Sequence, residues 1–252
     1  MNKLIIIIII FFVYIMFCLC INNKSIENMN NLDNKGDERK IECRDEHKRN
    51  YLKNKFKRVK NFLSSEECKY IINYAINKVK RSYVMNAGGG SKKSDVRTSS
   101  HVFIKQTKND FFRELVKKIN KKIKELTGEV IPLENYESFQ IVRYKPSKDN
   151  KSAQFYKQHY DTCNKINKSC QDDMKRGGFR YLTFFIYLNT VDKGGETEFP
   201  NLGTKTKAIK GNAVLWYNLD DSKKEREACS LHAGASPKGK TNKWGINVWV
   251  RL

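Results

Sequence analysis

From Tyr136 onward the sequence changes its period, and that change constrains the fold more than any other feature. Four runs, Tyr136 to Tyr144, Phe179 to Leu188, Ala213 to Tyr217 and Trp244 to Val250, are rich in β-branched and aromatic residues. They are separated by Gly, Asn, Asp and Pro, so they read as short strands between turns. No internal repeat accompanies them. A few helices followed by many short strands predict an α+β chain whose core is an all-β sandwich or barrel.

The helices come first. Ser64, with Glu67 three residues later, forms a capping box that opens a helix. The apolar positions Cys68, Ile71, Ile72, Ala75, Ile76 and Val79 give that helix one buried stripe. A second helix starts at Asp110, buries Phe112, Leu115, Val116, Ile119, Ile123 and Leu126, and ends at Gly128, a C-terminal cap. Between the two, the small residues from Asn86 to Ser91 predict a mobile loop suited to act as a lid.

The first residues have a different character. Leu4 to Ile21 is an uncharged apolar run with six consecutive isoleucines, and residues 1–21 are expected to be a signal peptide or, preferably, an uncleaved signal-anchor. Membrane contact through this segment is expected, with the rest of the chain facing the lumen of the endoplasmic reticulum. Residues 22–55 are polar and nearly free of aromatics, so they read as a disordered linker. Folded structure is expected over residues 56–252. A chain of 252 residues with 39% hydrophobic content can bury one sizeable core, so a single catalytic domain is expected.

Lys and Arg number 49 against 27 Asp and Glu, a formal charge of +22. That balance suggests nucleic acid or an anionic surface as partner. The lysines form no single stripe, however, and abundant Lys, Asn and Ile together look like biased codon use, so no nucleic acid partner is expected. Cys18 and Cys20 lie in the apolar run, which leaves Cys43, Cys68, Cys163, Cys170 and Cys229, an odd set that cannot all pair internally. Cys163 and Cys170 are close enough to close a small loop in an oxidising compartment. No metal-binding CxxC pair occurs.

His159-Tyr160-Asp161 places two ligand types two residues apart, on one face of an extended strand. A third ligand must come from elsewhere, and His232 is the only later histidine. Two histidines and a carboxylate occupy one face of an octahedron and leave room for a bidentate cosubstrate and oxygen, the requirement of non-haem iron(II). Taken alone, the tripeptide also fits a surface histidine beside a carboxylate. Lys243 follows His232 by eleven residues and enters a strand. A lysine there is either a solvated strand-edge residue or a fixed cation that meets the far carboxylate of a dicarboxylic cosubstrate.

From Phe56 to Leu252 the residues resemble the prolyl 4-hydroxylases, within the 2-oxoglutarate and iron(II)-dependent dioxygenases. The resemblance rests on ordered motifs: Asn61-Phe62-Leu63-Ser64 with Glu67-Cys68, Val96-Arg97-Thr98-Ser99-Ser100, Val142-Arg143-Tyr144, and His159-Tyr160-Asp161. It continues through Arg180-Tyr181-Leu182-Thr183, Tyr187-Leu188-Asn189, Gly194 to Pro200, Leu231-His232-Ala233-Gly234, and Lys243-Trp244 with Trp249.

The resemblance implies a double-stranded β-helix, or jelly roll, flanked by the N-terminal helices. It implies that His159, Asp161 and His232 bind Fe(II), that Lys243 and Thr197 hold the far carboxylate of 2-oxoglutarate, and that Tyr144 touches the cosubstrate. Tyr187 points the same way by strand register. Tyr156, Arg180 and Trp249 are the implied contacts for a proline-containing peptide, with O2 as the second substrate and ascorbate as reductant. Lys145 to Lys157 and Asn164 to Met174 look longer than the family's loops, and these segments bear on substrate choice.

The activity expected is hydroxylation of peptidyl proline to 4-hydroxyproline in secretory-pathway proteins, with succinate and CO2 as coproducts. Alternatives are the same chemistry on a lysyl side chain or a methylated nucleic acid, or an inactive jelly-roll binding module. Nucleic-acid demethylases usually anchor 2-oxoglutarate with arginine, which speaks against them here. Neither the protein substrate nor a partner subunit is legible in the sequence.

Overall fold

The computed structural model describes residues 43–85, 91–92, 95–146, 153–163, 170, 174–175 and 177–252. The apolar segment 1–21, the glycine run at 86–90 and most of 164–174 lie outside the described residues, as do 147–152. Among the described residues no helix is long and apolar enough to cross a membrane.

Helix α1 (Asp45–Asn54) carries Asp45 and Glu46 in its first turn and Lys53 in its last, the charge order that complements the helix dipole. It buries Tyr51 completely, and the phenol donates to the Tyr217 carbonyl at 2.6 Å. A disulfide from Cys43 to Cys229, 186 residues away, fixes its start. The helix falls inside the stretch read as linker and corrects that boundary, since the folded unit reaches back from Phe56 to Cys43. One tyrosine and one long-range disulfide decide this, and composition averages over both.

Helix α2 (Ser65–Ala75) opens on the expected capping box: the Ser64 hydroxyl accepts from the Glu67 N–H at 3.1 Å, and the Glu67 carboxylate accepts from the Ser64 N–H at 2.7 Å. It buries Cys68, Ile71 and Ala75 but ends sooner than its apolar stripe. Ile76 is 45% exposed and leaves the expected stripe, whereas Val79, past the helix end, is half-buried and packs against the core. Helix α3 (Asp110–Thr127) is capped by Asn109 and closed by Gly128 at φ 75°, and it buries Phe112, Leu115, Val116, Ile119 and Ile123.

The strands are β1 (Phe56–Val59), β2 (Lys80–Arg81), β3 (Val84–Met85), β4 (Ser91–Lys92), β5 (Ser100–Ile104), β6 (Phe139–Tyr144), β7 (Tyr156–His159) and β8 (Arg180–Tyr187). They continue with β9 (Lys193–Gly194), β10 (Thr197–Phe199), β11 (Thr204–Thr206), β12 (Ala213–Tyr217), β13 (His232–Gly234), β14 (Pro237–Lys238) and β15 (Lys243–Arg251). Seven of them form an antiparallel sheet in the order β1-β12-β8-β15-β6-β5-β2, and four form a second in the order β11-β10-β13-β7. Phe199 of the small sheet packs edge-on to Phe56 and Trp216 of the large one, at 4.9 and 5.3 Å. The result is the jelly-roll core expected from the sequence.

Alternation along the central strands divides the large sheet into two working faces. On β8, Phe184 packs against Phe62 just ahead of α2, at 5.0 Å, while Thr183, Phe185 and Tyr187 point to the opposite face. On β6, Phe139 meets Phe112 of α3 at 6.0 Å, which leaves Gln140, Val142 and Tyr144 inside. On β15 the inward positions are Lys243, Gly245, Asn247 and Trp249. The helices therefore cover one face, and the small sheet closes over the other.

Candidate metal centre

Strand β13 pairs antiparallel with β7, and the register sets His232 opposite His159. Asp161 follows two residues beyond His159. Its Oδ1 lies 3.7 Å from His159 Nε2 and 3.6 Å from His232 Nε2. The ligand atoms of all three lie within 4.8 Å of one another, a group able to hold a metal ion.

The other nitrogen of each ring is occupied. His159 Nδ1 lies 2.7 Å from the Lys157 carbonyl, and His232 Nδ1 lies 2.9 Å from the Ser230 carbonyl. A carbonyl can only accept, so each ring carries its proton on Nδ1 and turns the Nε2 lone pair inward. Burial and the neighbouring His159 push His232 down to about 4, which keeps it neutral and able to coordinate at ordinary pH. Burial pushes the Asp161 carboxyl upward, but His232 and His159 outweigh it and hold Asp161 far below the usual carboxylate range. Thr183 donates to Asp161 Oδ2 at 2.8 Å and accepts from Asn218 at 2.9 Å. This chain of donors aims Oδ1 at the imidazoles.

Lys243 is 1% exposed and stands opposite Tyr144 in the β15–β6 register. Its ammonium lies 5.1 Å from the Tyr144 ring centre, 5.5 Å from Phe185 and 5.8 Å from Tyr187. Among the described residues its one hydrogen bond is to the Glu196 carbonyl, at 3.4 Å. Burial lowers it from the usual lysine value to about 7, against the pull of Glu196 and Glu198. The strand-edge alternative is thereby excluded. The Tyr187 hydroxyl donates to Thr197 at 2.8 Å beside it, and burial raises Tyr144 to about 12, so that phenol stays protonated. Gly234 admits the Tyr144 hydroxyl to this pocket, because a Cβ there would sit 2.9 Å from the phenol oxygen.

The residues expected at the mouth also converge here. Tyr156 stacks on His159 with ring centres 3.4 Å apart. Arg180 reaches the Asp161 carbonyl at 3.3 Å and lies 3.6 Å above the Trp249 ring. Trp249 is thus buried beneath Arg180, which it supports. Glu137 fixes the guanidinium by paired hydrogen bonds of 2.5 and 2.8 Å. Four contributors escaped the sequence reading of roles: Thr183, Asn218, Glu137 and Arg97. Arg97 stacks 4.6 Å above the Tyr156 ring and donates to Gln140 at 2.9 Å. Thr183 had a signal, since alternation on β8 places it on the face of Tyr187. Asn218 and Glu137 lie off the motifs that drew attention to the site.

The donor set fits iron(II): three ligands of imidazole and carboxylate type, held by carbonyls and a threonine. The nearly unpartnered buried ammonium fits the distal carboxylate of 2-oxoglutarate.

Comparison with known proteins agrees. Residues 139–251 match the 2OG-Fe(II) oxygenase superfamily model. A putative prolyl 4-hydroxylase of Acanthamoeba polyphaga mimivirus is 32% identical over 76% of this chain and 72% of its own. Prolyl 4-hydroxylase 5 of Arabidopsis thaliana is 35% identical over 76% of this chain and 66% of its own. Against that plant relative, then, the chain spans about two thirds of the length. Among solved structures, the viral collagen prolyl hydroxylase of Paramecium bursaria Chlorella virus-1, in complex with 2OG, superposes with a TM-score of 0.59 at 26% identity, covering 78% of this chain and 96% of that one. The chain belongs to the 2OG-Fe(II) oxygenase superfamily and, within it, to the prolyl 4-hydroxylase family. It is an oxygenase that uses Fe(II) and 2-oxoglutarate, and ascorbate is the reductant typical of the family.

Two outcomes follow from the geometry. Thr183→Val removes the bond that orients Asp161 and should weaken iron binding by about 10- to 100-fold in a metal titration, with the fold intact by circular dichroism. Unchanged affinity would show that Thr183 has no orienting role. The Lys243 ammonium loses its proton as pH rises through about 7. Anaerobic calorimetry should therefore show 2-oxoglutarate binding weaken by about tenfold for each pH unit above that value. The slope should vanish in Lys243→Met, and a flat profile in the parent chain contradicts the assignment.

Proposed function

We propose that the chain hydroxylates peptidyl proline at C4, converting 2-oxoglutarate and O2 to succinate and CO2 as one oxygen atom enters the ring. The observation that carries this reading is the buried Lys243 ammonium, which faces the same interior as the His159, Asp161 and His232 donors. The relatives' names supply the substrate class. When bound at the three donors, iron supplies oxygen activation coupled to decarboxylation of 2-oxoglutarate.

The chain's own residues do the positioning. Lys243 pairs with the distal carboxylate, and the Tyr187 and Thr197 hydroxyls lie ready to share it. Tyr144 stays a phenol and offers a proton to a carboxylate oxygen. Phe185 and the rings around the ammonium keep water from this end of the pocket, which strengthens each charge contact. At the open side we assign the extended proline segment to Tyr156, which stands on His159, and to the Arg180 guanidinium on Trp249.

We further propose that it acts in the endoplasmic reticulum lumen, tethered through residues 1–21. The Cys43–Cys229 and Cys163–Cys170 disulfides support an oxidising compartment.

The test is turnover. Iron-loaded protein with 2-oxoglutarate, ascorbate and a proline-repeat peptide should yield 4-hydroxyproline and succinate in equal amounts, and His159→Ala should yield neither. Succinate without peptide oxidation, or activity that survives His159→Ala, would sink the reading. An N-glycosylation site introduced on an exposed loop should be modified in cells, and an unmodified chain would contradict luminal placement.

A further inference from the structure

A second cluster of metal-ligating groups sits apart from the iron donors, where α1 meets the segment leading into β13. His47 Nε2 lies 2.7 Å from Glu227 Oε1. The ligand atoms of His47, Glu227 and Cys229 lie within 4.8 Å of one another, and Cys43 is bonded to Cys229 with its Cα 5.0 Å away. Two short spacings supply all four groups: Cys43 and His47 at i and i+4, Glu227 and Cys229 at i and i+2. Two sulfurs, an imidazole and a carboxylate are the donor types of a tetrahedral zinc site.

A disulfide alone does not account for Glu227. This carboxylate is 1% exposed. Its Oε1 accepts from His47 and from the Cys229 N–H at 3.0 Å, but its Oε2 accepts no hydrogen bond among the described residues. The Lys55 ammonium lies 3.9 Å from Oε2 and is engaged with Asp221 at 2.7 Å. A buried carboxylate oxygen without a donor is costly.

We infer that the Cys43–Cys229 clamp has a second, reduced state in which Cys43, His47, Glu227 and Cys229 bind a zinc-like divalent cation. A dithiol reductant opens the disulfide, becomes a cyclic disulfide itself, and leaves two cysteine thiols. On metal binding these release two protons, and the His47 proton between Nε2 and Glu227 moves to Nδ1 as the cation takes its place. Either closure holds the same backbone. Glu227 and Cys229 flank the turn whose Ser230 carbonyl fixes His232 Nδ1, so the iron ligand stays oriented whether its neighbour is covalently bridged or metal-bridged. The inference is independent of which substrate the enzyme oxidises.

The test uses cobalt(II) and the full chain, reduced under anaerobic conditions and then freed of reductant. Thiolate coordination gives a sulfur-to-cobalt charge-transfer band that the sulfur-free His159, Asp161 and His232 set cannot produce. The band should appear in the reduced chain, be absent from the oxidised chain, and survive in Cys163→Ser/Cys170→Ser. His47→Ala keeps both cysteines, and its folding is checked by an unchanged unfolding midpoint in the oxidised form. It should weaken the cobalt affinity read from the band by at least about tenfold, the lower end of what losing even an outer-shell partner costs. Absence of the band from the reduced chain, its loss in Cys163→Ser/Cys170→Ser, or an affinity unchanged by His47→Ala overturns the inference.

Discussion

The pairing of β13 with β7 is the contact on which the rest of the molecule depends. It sets His232 opposite His159, and a register shift follows between His232 and Gly234. No local sequence preference brings these two histidines together. The antiparallel ladder does so, and the carbonyls of Lys157 and Ser230 then orient both rings. Helices, disulfides and the large sheet can be read as the support that keeps this short ladder in place.

Two buried charges show how the interior is organised around that ladder. Asp161 remains ionised because imidazoles face one of its oxygens and a threonine the other. Lys243 has far less: one long hydrogen bond and three aromatic rings. An isolated ammonium in such surroundings favours its neutral form, so the pocket calls for an anion. The carboxylate-anchoring role proposed for Lys243 would account for a lysine fully buried on a central strand.

Much of this was legible in the sequence, and the gaps have physical causes. The strand runs, the Ser64 capping box and the span of α3 were readable because each is a local pattern of period or hydrogen-bonding type. The positions His159, Asp161, His232 and Lys243 were readable because their chemistry is unusual for a strand. What was missed depends on partners distant in the chain. Tyr51 and Cys43 fold α1 onto Tyr217 and Cys229, a placement the polar composition of residues 22–55 cannot reveal. Ile76 fits the apolar period of α2 yet lies beyond its last turn. Asn218, just past β12, and Glu137, just ahead of β6, acquire their roles only when they meet Thr183 and Arg180.

The order of strands in the large sheet has a consequence for how the enzyme comes into being. Strands β6 and β8 are not hydrogen-bonded to each other; both bond to β15, which lies between them and follows both in the chain. Without β15 the sheet is two separate pieces. Tyr144 on one piece and Thr183 and Tyr187 on the other then lack the neighbours that β15 supplies. A nascent chain can thus form its helices and hairpins early while having no enclosed reaction chamber, and insertion of a single strand closes the sheet and delivers the lysine together.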